Sequence, residues 1–120
     1  HVEKISKKLV DGYRRIVSQV GLQGYVAFAG ANGALMFAPQ EIRNYRDWLG
    51  VDTELWKHYW FGMVNRGVMA QPYWWDEQWT MSVQHTEADI DKHLAALEDL
   101  APALAKAQQE HGKTPVLVAH

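Results

Sequence analysis

Tyr25-Val26-Ala27-Phe28-Ala29-Gly30-Ala31-Asn32-Gly33-Ala34-Leu35-Met36-Phe37-Ala38 is the stretch that decides the fold. Two apolar runs flank Gly30-Ala31-Asn32-Gly33, and runs of this length around a Gly/Asn turn predict a β-hairpin with a four-residue loop. Pro39 is expected to end the second strand, because it has no N–H to give to a ladder.

Upstream of the hairpin, Ile5, Leu9, Tyr13, Ile16, Val17 and Val20 recur at steps of three and four, the stripe of an amphipathic helix over residues 4–20. Gly21 and Gly24 supply its stop signal. Downstream, residues 40–50 are polar and aromatic and are expected to form a loop. A second helix is predicted over residues 53–66. Asp52 would be its N-cap, Leu55, Trp56, Tyr59, Trp60, Met63 and Val64 its buried stripe, and Gly67 its left-handed C-terminal stop. Residues 68–70 and 80–83 are apolar enough for two short strands. Thr86-Glu87-Ala88-Asp89 resembles a capping box with Asp in place of Glu or Gln, and it opens a last helix over residues 87–107. Pro102 is expected to bend that helix or start a new turn, and Gly112 to end it. The order of elements lacks strict βαβ alternation. It predicts an α+β fold, a small mainly antiparallel sheet of three to four strands with helices packed on one face.

A chain of 120 residues suits one domain, and 48% hydrophobic with 22% charged residues sits near the globular average. The net charge of −2 lacks the basic excess of a nucleic-acid binder. Cysteine is absent, which removes thiolate metal sites and thiol nucleophiles and fits a cytoplasmic protein. No apolar run reaches the ~20 residues of a membrane span. The first residue is His1 rather than methionine, so the expectation is a piece of a longer product.

The chemistry-bearing residues are informative chiefly by what they lack. Of the seven lysines, all but Lys113 fall on predicted helices away from the apolar stripes, where the solvated reading outweighs that of a desolvated nucleophile. Gly30-Ala31-Asn32-Gly33 lacks the lysine and spacing of a phosphate loop. Asp89 and His93 stand four apart on one helix, but such pairs are usually solvated neighbours, and no metal site is expected. Asp76 and Glu77 are adjacent and point apart on an extended segment, so they form no acid/base dyad.

Six tryptophans are the one compositional excess. Three of them stand in Gln71-Pro72-Tyr73-Trp74-Trp75-Asp76-Glu77-Gln78-Trp79. The plain reading is a lid of core aromatics over one end of the sheet. The functional readings are a substrate-pocket wall, a platform for a sugar, or a face that docks on another protein or domain. Residue types alone leave these open.

Taken in order, three blocks carry a resemblance. They are the hairpin with Arg43-Asn44-Tyr45-Arg46-Asp47, then Tyr59-Trp60-Phe61-Gly62-Met63-Val64-Asn65-Arg66-Gly67-Val68, then Met81-Ser82-Val83-Gln84-His85-Thr86-Glu87-Ala88-Asp89-Ile90-Asp91. Over residues 4–104 the chain resembles the C-terminal small domain of class III (fold type I) pyridoxal-phosphate aminotransferases, nearest the glutamate-1-semialdehyde aminomutase branch. Residues 85–91 are the most specific part. The resemblance implies that residues 1–112 are a small domain, with residues 113–120 an unassigned tail. It implies a partner, a large domain or a second chain of a split enzyme, that binds pyridoxal 5'-phosphate and carries the Schiff-base lysine. No catalytic residue and no cofactor are then expected on this chain alone. The parent would be a homodimer acting on a small amino acid or amine. By position, Glu77 matches the family's loop glutamate near cofactor and substrate, and Tyr73, Trp75 and Gln78 would line the same substrate side. The segment from Pro72 to His85 is one residue longer than the family pattern and richer in tryptophan, which implies a bulkier or more aromatic substrate than a glutamate derivative.

Overall fold

The structure, a computed structural model, describes residues 1–111; the expected stop at Gly112 and the tail 113–120 lie outside the described residues. Four helices and one sheet follow the order α1 (Val2–Gln19), β1 (Tyr25–Ala29), β2 (Asn32–Met36), α2 (Tyr45–Trp48), α3 (Thr53–Asn65), β3 (Trp79–Thr80) and α4 (Glu87–His111). The sheet is antiparallel with order β1-β2-β3. The α+β expectation holds, at the lower of the two strand counts.

The hairpin is tighter than its sequence suggests. Ala29 pairs with Asn32, so the connection is Gly30-Ala31, two residues rather than four. Positive φ occurs there only at Gly30, at 58°, the pattern of a II′ turn, whose twist matches that of the strands. Gly33 is therefore inside β2, where its task is steric. A Cβ at that position would lie 2.5 Å from the Trp79 indole.

Three further expectations need correction. Residues 68–70 form no strand, because the N–H of Val68 is already committed to Met63 O at 3.0 Å and that of Gly67 to Val64 O at 2.9 Å. With Gly67 at φ 81° this is a complete Schellman cap on α3. The third strand is Trp79–Thr80 rather than residues 80–83, prolonged only by Met81 N donating to Ala31 O. Residues 40–50 also contain one helical turn, capped by Asn44, whose side chain accepts from the N–H of Asp47 at 2.9 Å. Pro102 starts no new element, and α4 runs through it for 25 residues.

On the covered face of the sheet lie Val26, Gly33, Leu35, Phe37 and Trp79, all buried. Helix α1 lies on that face with Ile5, Leu9, Tyr13 and Ile16 fully buried. Ion pairs Lys4–Glu87, Lys8–Asp91 and Arg15–Glu98 keep a constant offset along the two helices, so α1 and α4 run parallel in register. Exposed pairs of this kind stabilise by at most about 1 kcal/mol each; the buried stripes supply the main attraction. Helix α3 packs antiparallel to α4, with Gly62 against Leu100 and Arg66 paired to Asp99. It reaches the sheet through Tyr59, whose ring meets Phe37 edge-on.

Asp52 ties the two ends of this pair. One carboxylate oxygen accepts from the N–H of Leu55 at 3.0 Å, and the other pairs with His111 Nδ1 at 2.9 Å. Asp52→Ala is expected to lower stability by about 1 kcal/mol, the usual value of an N-cap. Urea unfolding of the two proteins measures it, and an unchanged midpoint would show that the Asp52 cap does not stabilise α3.

Candidate functional site

Residues 71–78 fold as a run of tight turns. Trp74 N donates to Pro72 O at 2.8 Å, and Glu77 N to Trp74 O at 3.1 Å. The buried Gln71 anchors the run at both ends. Its carbonyl accepts from the Trp60 indole N–H at 2.9 Å, and its side-chain amide donates to Glu77 O at 2.8 Å. The backbone of this loop is thus pinned while its side chains face outward.

Of the four residues expected on the substrate side, the structure gathers two. Tyr73 packs edge-on against Trp60 at 4.9 Å and contacts Trp56 and Phe61, and Trp75 stacks on Trp74 at 4.2 Å. Glu77 and Gln78 are exposed, and the Glu77 carboxylate has no hydrogen bond or ion pair among the described residues. Phe61, Tyr73 and Trp74 are each about half exposed, so the loop and the outer face of α3 share an aromatic surface. Trp79 leaves that group and enters the core at 2% exposure, so it does not flank Glu77.

A second arrangement was not anticipated. His93 is buried rather than a solvated neighbour of Asp89. Its Nε2 and the Tyr59 hydroxyl both lie 2.5 Å from the Tyr13 hydroxyl, so one phenol joins α1, α3 and α4. Trp79 packs on the rings of both Tyr13 and His93. Burial holds the imidazole down at about pKa 4 and pushes both phenols up, so at neutral pH all three are uncharged. The signal in the sequence was the placement of Tyr13, Tyr59 and His93 on the apolar stripes of three different helices. His93 also lines a cleft of about 330 Å3 between the loop after α3, β3 and the start of α4, together with His85, Asp89 and Lys92. Among the described residues no three His, Cys, Asp or Glu side chains converge as metal ligands, and no helix is long and apolar enough to cross a membrane.

No protein-family model matches the chain. Among curated proteins it is 36% identical over 99 residues to glutamate-1-semialdehyde 2,1-aminomutase of Clostridium perfringens, covering 82% of this chain and 23% of that protein. The enzyme of the same name from Desulfatibacillum aliphaticivorans is 31% identical over 97 residues, covering 81% and 23%. That of Thermus thermophilus is 29% identical over 97 residues, covering 81% and 22%. The chain spans less than a quarter of the length of these curated relatives. The matched portion is their C-terminal part. By that homology, which extends over four fifths of its residues, the chain is related to the C-terminal part of the glutamate-1-semialdehyde 2,1-aminomutases, the branch of the class III aminotransferases that its sequence resembles.

Proposed function

We propose that residues 1–112 are the small domain of a pyridoxal-phosphate-dependent aminotransferase or aminomutase, closing the substrate side of an active site on a larger domain or second chain. The observation that carries this reading is the match to the C-terminal quarter of the aminomutases over four fifths of this chain. When bound to such an enzyme, the cofactor supplies an electron sink for amino-group chemistry. The residues present here do not fit the cofactor's anchoring site. Each described lysine is at least partly exposed, and Lys8 and Lys57 are pushed upward in pKa by their partners Asp91 and Glu54, the opposite of what a Schiff-base nucleophile needs. No step through the cofactor is therefore assigned to this chain.

Its own contribution is positional. A pinned backbone presents Glu77 and Gln78 outward, beside an aromatic surface of Tyr73, Trp74 and Trp75. In the assembled enzyme, a homodimer in this reading, the aromatics dock and exclude water, and the Glu77 carboxylate meets the cationic amine of an amino acid or amine substrate. Low local dielectric then strengthens that pairing. Glu77→Gln keeps the shape and removes the charge. In the full-length enzyme it is expected to lower turnover about tenfold or more, roughly 1.4 kcal/mol of transition-state stabilisation, with cofactor binding intact. Unchanged turnover over several amino donors would leave Glu77 as an ordinary loop residue.

A further inference from the structure

We propose that the cleft at the start of α4, floored by His93 and rimmed by His85, Asp89 and Lys92, binds a small organic carboxylate. The proposal does not depend on the enzymatic reading above, because none of Tyr73, Trp75, Glu77 and Gln78 lines this cleft.

Tyr59 is fully buried, and among the described residues its hydroxyl has one hydrogen-bond partner, Tyr13. A buried hydroxyl proton without an acceptor is costly, so Tyr59 donates to Tyr13. Tyr13 in turn has only its own proton left to give, and the remaining neighbour is His93 Nε2 at 2.5 Å. Nε2 must therefore accept, which fixes the neutral imidazole as the tautomer protonated at Nδ1. His93 is more than nine-tenths buried and lines the cleft, and its Nδ1 has no partner among the described residues. The floor of the cleft is thus a fixed N–H donor, held by two phenols from two other helices.

The rim repeats the pattern. His85 Nδ1 accepts from the N–H of Ser82 at 3.0 Å, which leaves Nε2–H as the outward donor. Lys92 adds a cation, placed 3.8 Å from where a side chain on Gly67 would begin. Asp89 is the one carboxylate. Its Oδ2 is occupied by the N–H and hydroxyl of Thr86, and these bonds hold its pKa below the usual range. Two N–H donors and an ammonium select an oxyanion. The Asp89 charge selects against a second negative charge, which favours a carboxylate over a phosphate. The volume is at the small end for ligand sites, so the ligand is small.

The test is imidazole 1H–15N spectroscopy on the 15N-labelled chain, titrated with butyrate and in parallel with inorganic phosphate at constant ionic strength. The expected result has three parts. His93 is protonated at Nδ1 at pH 7. Butyrate shifts the His93 and His85 ring signals saturably, with a dissociation constant in the millimolar range or below, and leaves His58 and His111 still. Lys92→Met, at an exposed position, weakens this binding at least fivefold. A His93 protonated at Nε2, shifts that never saturate, equal shifts at all histidines, tighter binding of phosphate than of butyrate, or an unaltered Lys92→Met titration would each overturn the proposal.

Discussion

Between pH 7 and pH 4 the protein is expected to lose roughly 3 kcal/mol of folding stability through His93 alone. The imidazole is buried and held at about pKa 4, against an ordinary value of 6.5. In this window the unfolded chain binds a proton that the folded chain refuses, so stability falls as the solution is acidified through 6.5 and the loss is complete near 4. Above 6.5 the group contributes no slope, because both states are neutral. The neighbours that enforce this are Tyr13 from α1, Tyr59 from α3 and Trp79 from β3 on the inner side. Lys92 at the rim adds positive charge, and Asp89 with His85 completes the outer side. Urea unfolding at half-unit pH steps measures the slope. His93→Gln retains an acceptor for Tyr13 and cannot titrate, so its stability curve should be nearly flat from pH 6.5 to 5. Equal acid loss in both proteins would place the sensitive group elsewhere.

The second large effect is expected at the contact between Trp79 and Gly33. Trp79→Ala removes a buried indole that touches Tyr13 at a ring separation of 4.9 Å and covers β2. Truncations of this size cost about 3 to 5 kcal/mol. Gly33→Ala also destabilises, since its new Cβ would stand 2.5 Å from two atoms of the indole inside a paired strand. The two changes share one volume, so their costs should not add. The double variant is expected to be more stable than the sum predicts by about 1 kcal/mol or more, a coupling typical of residues in contact. Full additivity in urea unfolding would mean that Gly33 serves only the backbone of β2.

That same contact explains what the sequence conceals. Gly30 and Gly33 look alike as turn glycines, yet only Gly30 sits at positive φ. The other is a notch for an indole that arrives from 46 residues further on, and no local pattern announces such a partner. The three main helices were legible because each carries a stripe and a cap with local rules. Asp52, Gly67 and the Thr86/Asp89 pair all act as their positions suggest. Residues 68–70 had the composition of a strand, but the Val68 N–H was already taken by the cap of α3. The family assignment was readable from residues 85–91 and their order, and homology supports it. The buried histidine was not, because helical spacing shows which residues share a face and not which faces meet. Asp89 and His93 stand four apart, yet one is wet and the other is buried against Tyr13.

Parallel packing of α1 and α4 has a consequence for how the chain reaches this state. The contacts that join α1 to α4 link residues about 80 positions apart, while α1 meets α3 at the shorter-range pair Tyr13–Tyr59. During synthesis at ~5–20 residues per second, α1 therefore waits roughly 4 to 16 seconds for its partner to emerge. Throughout that interval Ile5, Leu9 and Ile16 lack the cover that α4 gives them, and their earlier partners are the hairpin and, at Tyr13, Tyr59 of α3. Contacts of such long sequence separation also slow refolding from denaturant. The nascent α1–hairpin unit, with its apolar stripe partly bare, is the species on which a chaperone would act.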